Sequence, residues 1–176
     1  MGTPKPLLAY RGETFLDRLI GLFGARCSPV IVVLGAAAEQ IRAGVVRPAT
    51  FVVNGDYALG QSSSMQCGLR AVPAGASAVL FTLADHPAVA PETLDAVLAP
   101  SAAPLCVPRY QGKRGHPIRF SRSLIAEFLA LPPSGAARDV VRAHARETAF
   151  LDLDDPGIVT DVDDPEAYRH LLEARG

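Results

Sequence analysis

Lysine is nearly absent. The 17 basic residues include only two lysines, Lys5 and Lys113, and 18 Asp and Glu residues balance them to a net charge of −1. No run of like charge stands out, which excludes the nonspecific backbone binding of a basic nucleic-acid domain. Cysteine is scarce too. Cys27, Cys67 and Cys106 cannot all pair with one another and match no CxxC spacing, so they read as buried reduced thiols rather than a disulfide scaffold or a zinc site. Long apolar runs are missing: Val30–Leu34 is among the longest, far too short to span a bilayer. No charged stretch followed by an apolar one opens the sequence as written. The expectation is a cytoplasmic domain with neither nucleic acid nor membrane as a partner.

What is present suits one domain over residues 1–176, with 49% apolar residues to build a core. Thr14-x-x-Asp17 starts a helix over Thr14–Ala25, with Phe15, Leu19, Leu22 and Phe23 at helical spacing. Val30–Leu34 is β-branched and bounded by Pro29 and Gly35, as in a strand buried on both faces. A helix follows over Ala36–Ala43, then a strand over Thr50–Val53, a polar loop from Asn54 to Ser64, and a helix over Gln66–Val72. Ala78–Leu83 is the second strong strand, and Pro91–Leu98 is a helix with Pro in its first turn. Leu105–Arg109 and Ile118–Phe120 read as strands around a loop at Tyr110–Pro117. Helices over Leu124–Leu131 and Ala136–Arg146 flank a Pro132–Gly135 breaker, and a strand at Ala149–Leu153 and a helix at Pro165–Glu173 close the pattern. Alternating strands and helices imply a Rossmann-like three-layer α/β/α domain with a mostly parallel sheet. Ligands of such sheets bind beyond the carboxyl ends of the strands, which singles out Asn54–Ser64, Asp85–Pro87, Gly115–Pro117 and Asp161–Asp164.

Asp85 follows its strand at that rim. It suits a hard divalent cation, which takes one or two carboxylates with phosphate oxygens and water; it suits equally a turn residue bonding its own backbone. His86 beside it reads as a turn residue. Asn54 to Ser64 carries small polar groups into a helix start, as a phosphate or polar base would want, or as an ordinary capped loop has. Lys113-Arg114-Gly115-His116-Pro117 could receive an anionic substrate or be a solvated hairpin loop. Asp161–Glu166 places carboxylates where a helix N-terminus favours them, so Asp163 reads as a metal-site group only through Asp85. Lys5, beside Pro4 and Pro6, reads alone as solvated.

In order along the chain, Gly2-x-Pro-Lys5, Val-Val-Leu-Gly35, Asn54, Gly60-x-Ser-Ser-Ser, Ala-Asp85-x-Pro87, Arg114-Gly-His-Pro117, Gly-Ala-Ala-Arg138 and Asp-Val-Asp163-x-Pro-Glu resemble the molybdenum cofactor cytidylyltransferases, within the MobA type of nucleotidyltransferase. The resemblance covers nearly the whole chain and implies the nucleotide-diphospho-sugar transferase fold. It also implies transfer of CMP from CTP to the terminal phosphate of molybdenum-bound molybdopterin, with release of pyrophosphate. In its terms Lys5 contacts the triphosphate and Asp85 holds Mg²⁺, with Asp163 near that metal. Asn54, Gly60, Ser62 and Ser63 line the nucleotide, and Ser64, Arg114 and His116 face the acceptor. A molybdenum hydroxylase or its chaperone would be the partner downstream. The alternatives are a related transferase with another nucleotide or acceptor, such as a guanylyl or sugar-phosphate type, and a non-catalytic module that only binds.

The sequence departs from the family pattern at its start. Relatives of this type begin with an apolar strand and a Gly-rich nucleotide loop before Met-Gly-x-Pro-Lys, whereas here Met1 and Gly2 come first. The resemblance therefore predicts a sheet lacking its first strand, an internal methionine at Met1, and weak or absent CTP turnover by the chain as written.

Overall fold

The computed structural model describes residues 2–132 and 135–173. Met1, and Pro133 and Ser134 of the expected helix breaker, lie outside the described residues.

The chain opens with a 3₁₀ turn at Lys5–Leu7 and a hairpin of β1 (Ala9–Tyr10) and β2 (Glu13–Thr14). Arg11 and Gly12 form its two-residue turn with φ of 52° and 86°, the doubly positive conformation whose twist matches paired strands. Helix α1 (Phe15–Gly24) starts at Thr14, whose hydroxyl accepts the Asp17 N–H at 3.0 Å. Asp17 is itself buried and accepts the N–H groups of Val46 and Arg47 at 3.0 and 2.9 Å.

Strand β3 (Ile31–Leu34) leads to α2 (Ala38–Gly44) and then to β4 (Thr50–Val53), which pairs parallel to β3. Helix α3 (Gln61–Arg70) precedes β5 (Ala78–Phe81) and α4 (Pro91–Leu98). Strand β6 (Leu105–Tyr110) turns at Gln111-Gly112, with φ of 48° and 77°, into β7 (Lys113–Arg114). Strand β8 (Ile118–Ser121), helices α5 (Ile125–Leu129) and α6 (Ala137–Ala143), strand β9 (Thr148–Asp152) and helix α7 (Pro165–Glu173) complete the chain.

The arrangement is α/β with a mixed sheet. The parallel pairs are β3–β4 and β6–β9, while β8 runs antiparallel between β5 and β6. Side chains alternate across it as period-2 strands require. Val32, Leu34 and Leu80 join clusters under α1, α2 and α4, whereas Val79, Phe81, Leu105, Val107, Ile118 and Phe120 join one under α3, α5 and α6. Leu94, Phe120 and Phe128 are wholly buried at these contacts, and Phe15 is wholly buried in a further cluster with Tyr10, Val162 and Leu171.

The sheet is interrupted. Among the described residues β3–β4 forms one sheet and β5, β8, β6, β7 and β9 another, with no ladder between β3 and β5. Two helices straddle the interruption from opposite faces. Leu16 and Ile20 of α1 pack toward β3, and its Leu19 and Phe23 pack toward Leu80 and α4. On the other face, a Cβ on Gly68 of α3 would meet Val33 at 2.8 Å, so the helix lies tight against β3, while its Met65 and Leu69 pack with Val79 and Phe81.

Several boundaries differ from the expectations. The strand expected at Ala78–Leu83 ends at Phe81, and Thr82 and Leu83 continue as loop toward Asp85. The helix expected from Gln66 begins five residues earlier at Gln61, so the polar loop is partly helical; Tyr57–Leu59 forms a 3₁₀ turn and Gly60, at φ 107°, switches the chain into α3. Cys106 is buried as expected, but Cys27 and Cys67 are only partly so; all three are free. No helix among the described residues is long and apolar enough to cross a membrane.

Candidate active site

The carboxyl end of β3 opens on a cavity of about 430 Å³, lined by Lys5, Leu34, Gly35 and Ala84. Lys5 of the first turn, the end of β3 and the loop after β5 therefore share one cavity. Lys5 Nζ donates to Asp163 Oδ1 at 2.7 Å. That bond, with the attraction of the ammonium, holds the Asp163 carboxyl below the usual carboxylate range. The preceding residue, Val162, is wholly buried against Tyr10 and Phe15, and its N–H donates to the Asp85 carbonyl at 3.2 Å. Residues near the start, middle and end of the chain thus meet at one rim.

Asp85 Oδ1 is shielded from water and has no hydrogen-bond partner. A buried carboxylate oxygen left unpaired is costly, and a cation would satisfy it. No group of three or more His, Cys, Asp or Glu side chains with metal-holding spacing occurs among the described residues. The donor set is one half-buried carboxylate with a second, exposed one nearby, which fits a hard divalent ion that takes the rest of its shell from phosphate oxygens and water.

The loop from Asn54 is cross-braced. Asn54 is buried, and its amide N–H groups donate to Ser63 Oγ at 2.9 Å and Ser64 Oγ at 3.0 Å, while its Oδ1 accepts the Asp56 N–H at 3.0 Å. Ser63 Oγ donates to the Gly60 carbonyl at 2.8 Å. Asn54, Ser63 and Ser64 are therefore engaged with one another, and Gly60 remains exposed at the bend. Ser62 turns the other way: its hydroxyl donates to the Gly135 carbonyl at 2.6 Å, and it lines a second cavity.

That second cavity has a volume of about 510 Å³ and collects Ser62, His86, Arg114, His116, Arg138 and Asp161 around a floor that includes Met65, Phe81, Val107 and Ile118. The β6–β7 hairpin places Arg114 there, its guanidinium 5.0 Å from the centre of the Phe150 ring. Gly115 lies so close to the Ile158 backbone that a Cβ would collide with it, and the His116 N–H donates to the Ile158 carbonyl at 2.9 Å. These contacts fix the His116 ring edge-on to Phe81 at 5.9 Å and tilted on His86 at 5.2 Å. Burial, and then the neighbouring His86, push the His116 pKa down to about 3, so its imidazole is neutral at physiological pH.

Most of the expected residues fall into two adjoining groups, and the rest brace a loop. Lys5, Asp85 and Asp163 share the rim; Ser62, Arg114 and His116 share the larger cavity; Asn54, Ser63 and Ser64 brace the loop entering α3. His86 joins the two groups. It is 8% exposed, lines the larger cavity, and holds Nε2 3.7 Å from Asp85 Oδ1. Sequence reasoning took it for a turn residue, and only its place directly after Asp85 could have signalled more.

Lys5, Asp85 and Asp163 thus lie together in an open α/β domain, beside a cavity lined by Arg114 and Arg138. The chain belongs to the MobA-like NTP transferase domain family, whose model matches residues 1–148. The purine catabolism protein PucB of Bacillus subtilis (strain 168) is 30% identical over 121 residues, which are 68% of this chain and 59% of that relative's length. Among solved structures, Rv0371c of Mycobacterium tuberculosis H37Rv is 32% identical with a TM-score of 0.85, covering 98% of this chain and 90% of that one. The same protein in complex with manganese is 30% identical with a TM-score of 0.81, covering 97% and 92%.

Proposed function

We propose that this chain carries the site of a cytidylyltransferase that joins CMP from CTP to the terminal phosphate of a molybdopterin-type acceptor. An acceptor phosphate oxygen attacks the α-phosphorus, the bond to the β-phosphate oxygen breaks, and pyrophosphate leaves. Such a reaction asks for positioning and charge neutralisation more than for covalent help. Mg²⁺, when bound, supplies charge neutralisation on the triphosphate oxygens. Asp85 and Asp163 are the residues that would hold it. Lys5 presents a point charge to the triphosphate. Gly60 and Ser63 border the nucleotide, with Asn54 and Ser64 bracing that loop. Ser62, which the resemblance puts on the nucleotide side, opens instead with Arg114 and His116 on the acceptor side, where Arg114 offers a cation to the phosphate.

The observation that carries this reading is the meeting of Lys5 and Asp163, 158 residues apart, beside the Asp85 backbone and next to the larger cavity. The apolar floor of that cavity, under cationic Arg114 and Arg138, suits a flat heterocycle bearing a phosphate better than a polyol phosphate. The name of the Bacillus relative speaks of purine catabolism, and a molybdenum hydroxylase or its chaperone is the recipient we propose.

The test is calorimetry with each of the four Mg-NTPs, followed by pyrophosphate release with and without acceptor. Binding is the first readout. Preferential binding of CTP supports the proposal. Preference for another nucleotide moves the chain to a related transferase, and a folded sample that binds none of the four is a non-catalytic module.

A further inference from the structure

Three buried side-chain atoms among the described residues lack any hydrogen-bond partner: Asp85 Oδ1, His86 Nδ1 and His116 Nδ1. They belong to adjacent groups, since His86 follows Asp85 in the chain and its ring lies tilted against His116 at 5.2 Å. Buried polar atoms are nearly always paired, so three orphans in one place mark a site that a ligand completes. His86 is more than nine-tenths buried and has no freedom of an ordinary turn residue. The next residue, Pro87, is fully buried, and Arg18 Nε donates to its carbonyl at 2.7 Å. His86 Nε2, at 3.7 Å from Asp85 Oδ1, is too far for a hydrogen bond, so neither ring nitrogen is tied within the protein.

We propose that His86 is an acceptor-binding residue whose imidazole N–H takes a phosphate oxygen of the incoming acceptor beside Asp85. This rests on the cytidylyltransferase reading above. The argument is one of complementary charge on successive residues. A carboxylate alone repels a phosphomonoester, and an imidazole accepts a hard cation less readily than a carboxylate does. Asp85 is left to the cation and His86, opening on the larger cavity, to the phosphate. The alternation places the attacking oxygen next to the neutralised triphosphate, the arrangement in which proximity contributes most. Arg114 supplies the charge for that phosphate, and His86 supplies a fixed direction.

The probe is neopterin monophosphate, a fluorescent pterin bearing a phosphomonoester, titrated by fluorescence into protein loaded with Mg²⁺ and a non-transferable methylene analogue of CTP. Neopterin without the phosphate is the control. His86→Ala is expected to weaken neopterin monophosphate about tenfold, as loss of one hydrogen bond to a charged group does, with affinity for neopterin and for the CTP analogue unchanged within about twofold. His86→Gln, which keeps an N–H donor, recovers most of the loss. In the unmutated protein the His86 ring nitrogen NMR signals shift on adding neopterin monophosphate and not neopterin, a readout independent of whether the variants fold. Equal affinity of His86→Ala for the phosphorylated probe, an equal loss for neopterin, or unmoved ring signals overturns the proposal. So does a protein that takes the CTP analogue but not the phosphorylated pterin. Failure to bind the CTP analogue as well defeats the cytidylyltransferase reading itself.

Discussion

Lys5 and Asp163 form a 2.7 Å ion pair between the two ends of the chain, beside the cavity that the end of β3 and the loop after β5 share. Each neutralises the other, and in the proposed reading each would serve a different part of a metal–nucleotide complex. Lys5→Met removes the hydrogen bond and the charge that lower the Asp163 pKa, so that carboxyl is expected to titrate higher in the variant. Carboxyl carbon NMR of Asp163 between pH 2 and about 6 checks this. A folded pKa below the unfolded one contributes stability above the unfolded pKa and loses it as pH falls through the folded one, so the acid limb of the wild-type stability curve is the part that Lys5→Met flattens. The Asp163 side chain is largely exposed and that of Lys5 partly so, which keeps that contribution small. The same variant is expected to weaken triphosphate binding about tenfold, measured with tripolyphosphate by calorimetry.

Asp85 and Asp163 do not make a cage by themselves. A cation held by one or two carboxylates needs phosphate oxygens to complete its shell. Mn²⁺ is therefore expected to bind the protein alone only weakly, with Kd on the order of millimolar, and at least about tenfold more tightly in the presence of CTP than either component predicts alone. Electron paramagnetic resonance of free Mn²⁺ measures both. Asp85→Asn removes the charge while keeping the shape, and the coupling disappears with it.

Much of this architecture was legible because local chemistry and tertiary position agree. Thr14 and Asp17 mark the start of α1, and the β-branched run before Gly35 is a strand with both faces covered. Other features depend on contacts that spacing does not carry. Arg11-Gly12 and Gln111-Gly112 close hairpins without the Asn or Asp that would advertise such a turn. Helix α3 starts at Gln61 because a positive φ at Gly60 and the Asn54 amide, seven to ten residues upstream of its first turn, organise a polar stretch that reads as loop. His86 became a site residue only when Arg18, 69 positions from Pro87, gripped the loop that carries it.

Asp17 does more than help to start α1. Its Oδ1 accepts two backbone N–H groups from the segment after α2, at Val46 and Arg47, and its Oδ2 accepts the Thr14 hydroxyl at 2.8 Å. Asp17→Ala is expected to cost about 2–4 kcal/mol in urea unfolding, through three lost charge-assisted bonds and a weakened cap. Asp17→Asn, which keeps the acceptor oxygen without the charge, costs less.

The interruption between β3 and β5 bears on dynamics. Each strand has one laddered edge and one without a partner among the described residues. Their residues are mostly half-buried, whereas Leu105, Cys106, Val107 and Pro108 of β6, flanked on both sides, are buried. Amides on the free edges are expected to exchange with deuterium about a hundredfold faster than those of β6, as low-stability openings do. Residue-resolved hydrogen exchange tests this, and uniform protection across β3, β5 and β6 contradicts it.

His116 ties stability to pH in the opposite sense from a paired histidine. Its folded pKa is depressed to about 3 by burial and by His86, while the unfolded chain titrates at its ordinary value. The neutral ring costs nothing above the unfolded pKa. Below it the unfolded chain binds a proton that the folded one refuses, so stability falls as pH drops from about 6.5 toward 3, reaching a loss of about 2 kcal/mol at pH 5 from this group alone. Urea unfolding at pH 7.5 and pH 5 is expected to show that drop in the wild type. His116→Gln, which does not titrate, is expected to lose about 2 kcal/mol less over the same interval. An identical pH dependence in the two proteins would mean that the imidazole takes up its proton in the fold, and that the cavity it lines is wetter than its apolar floor implies.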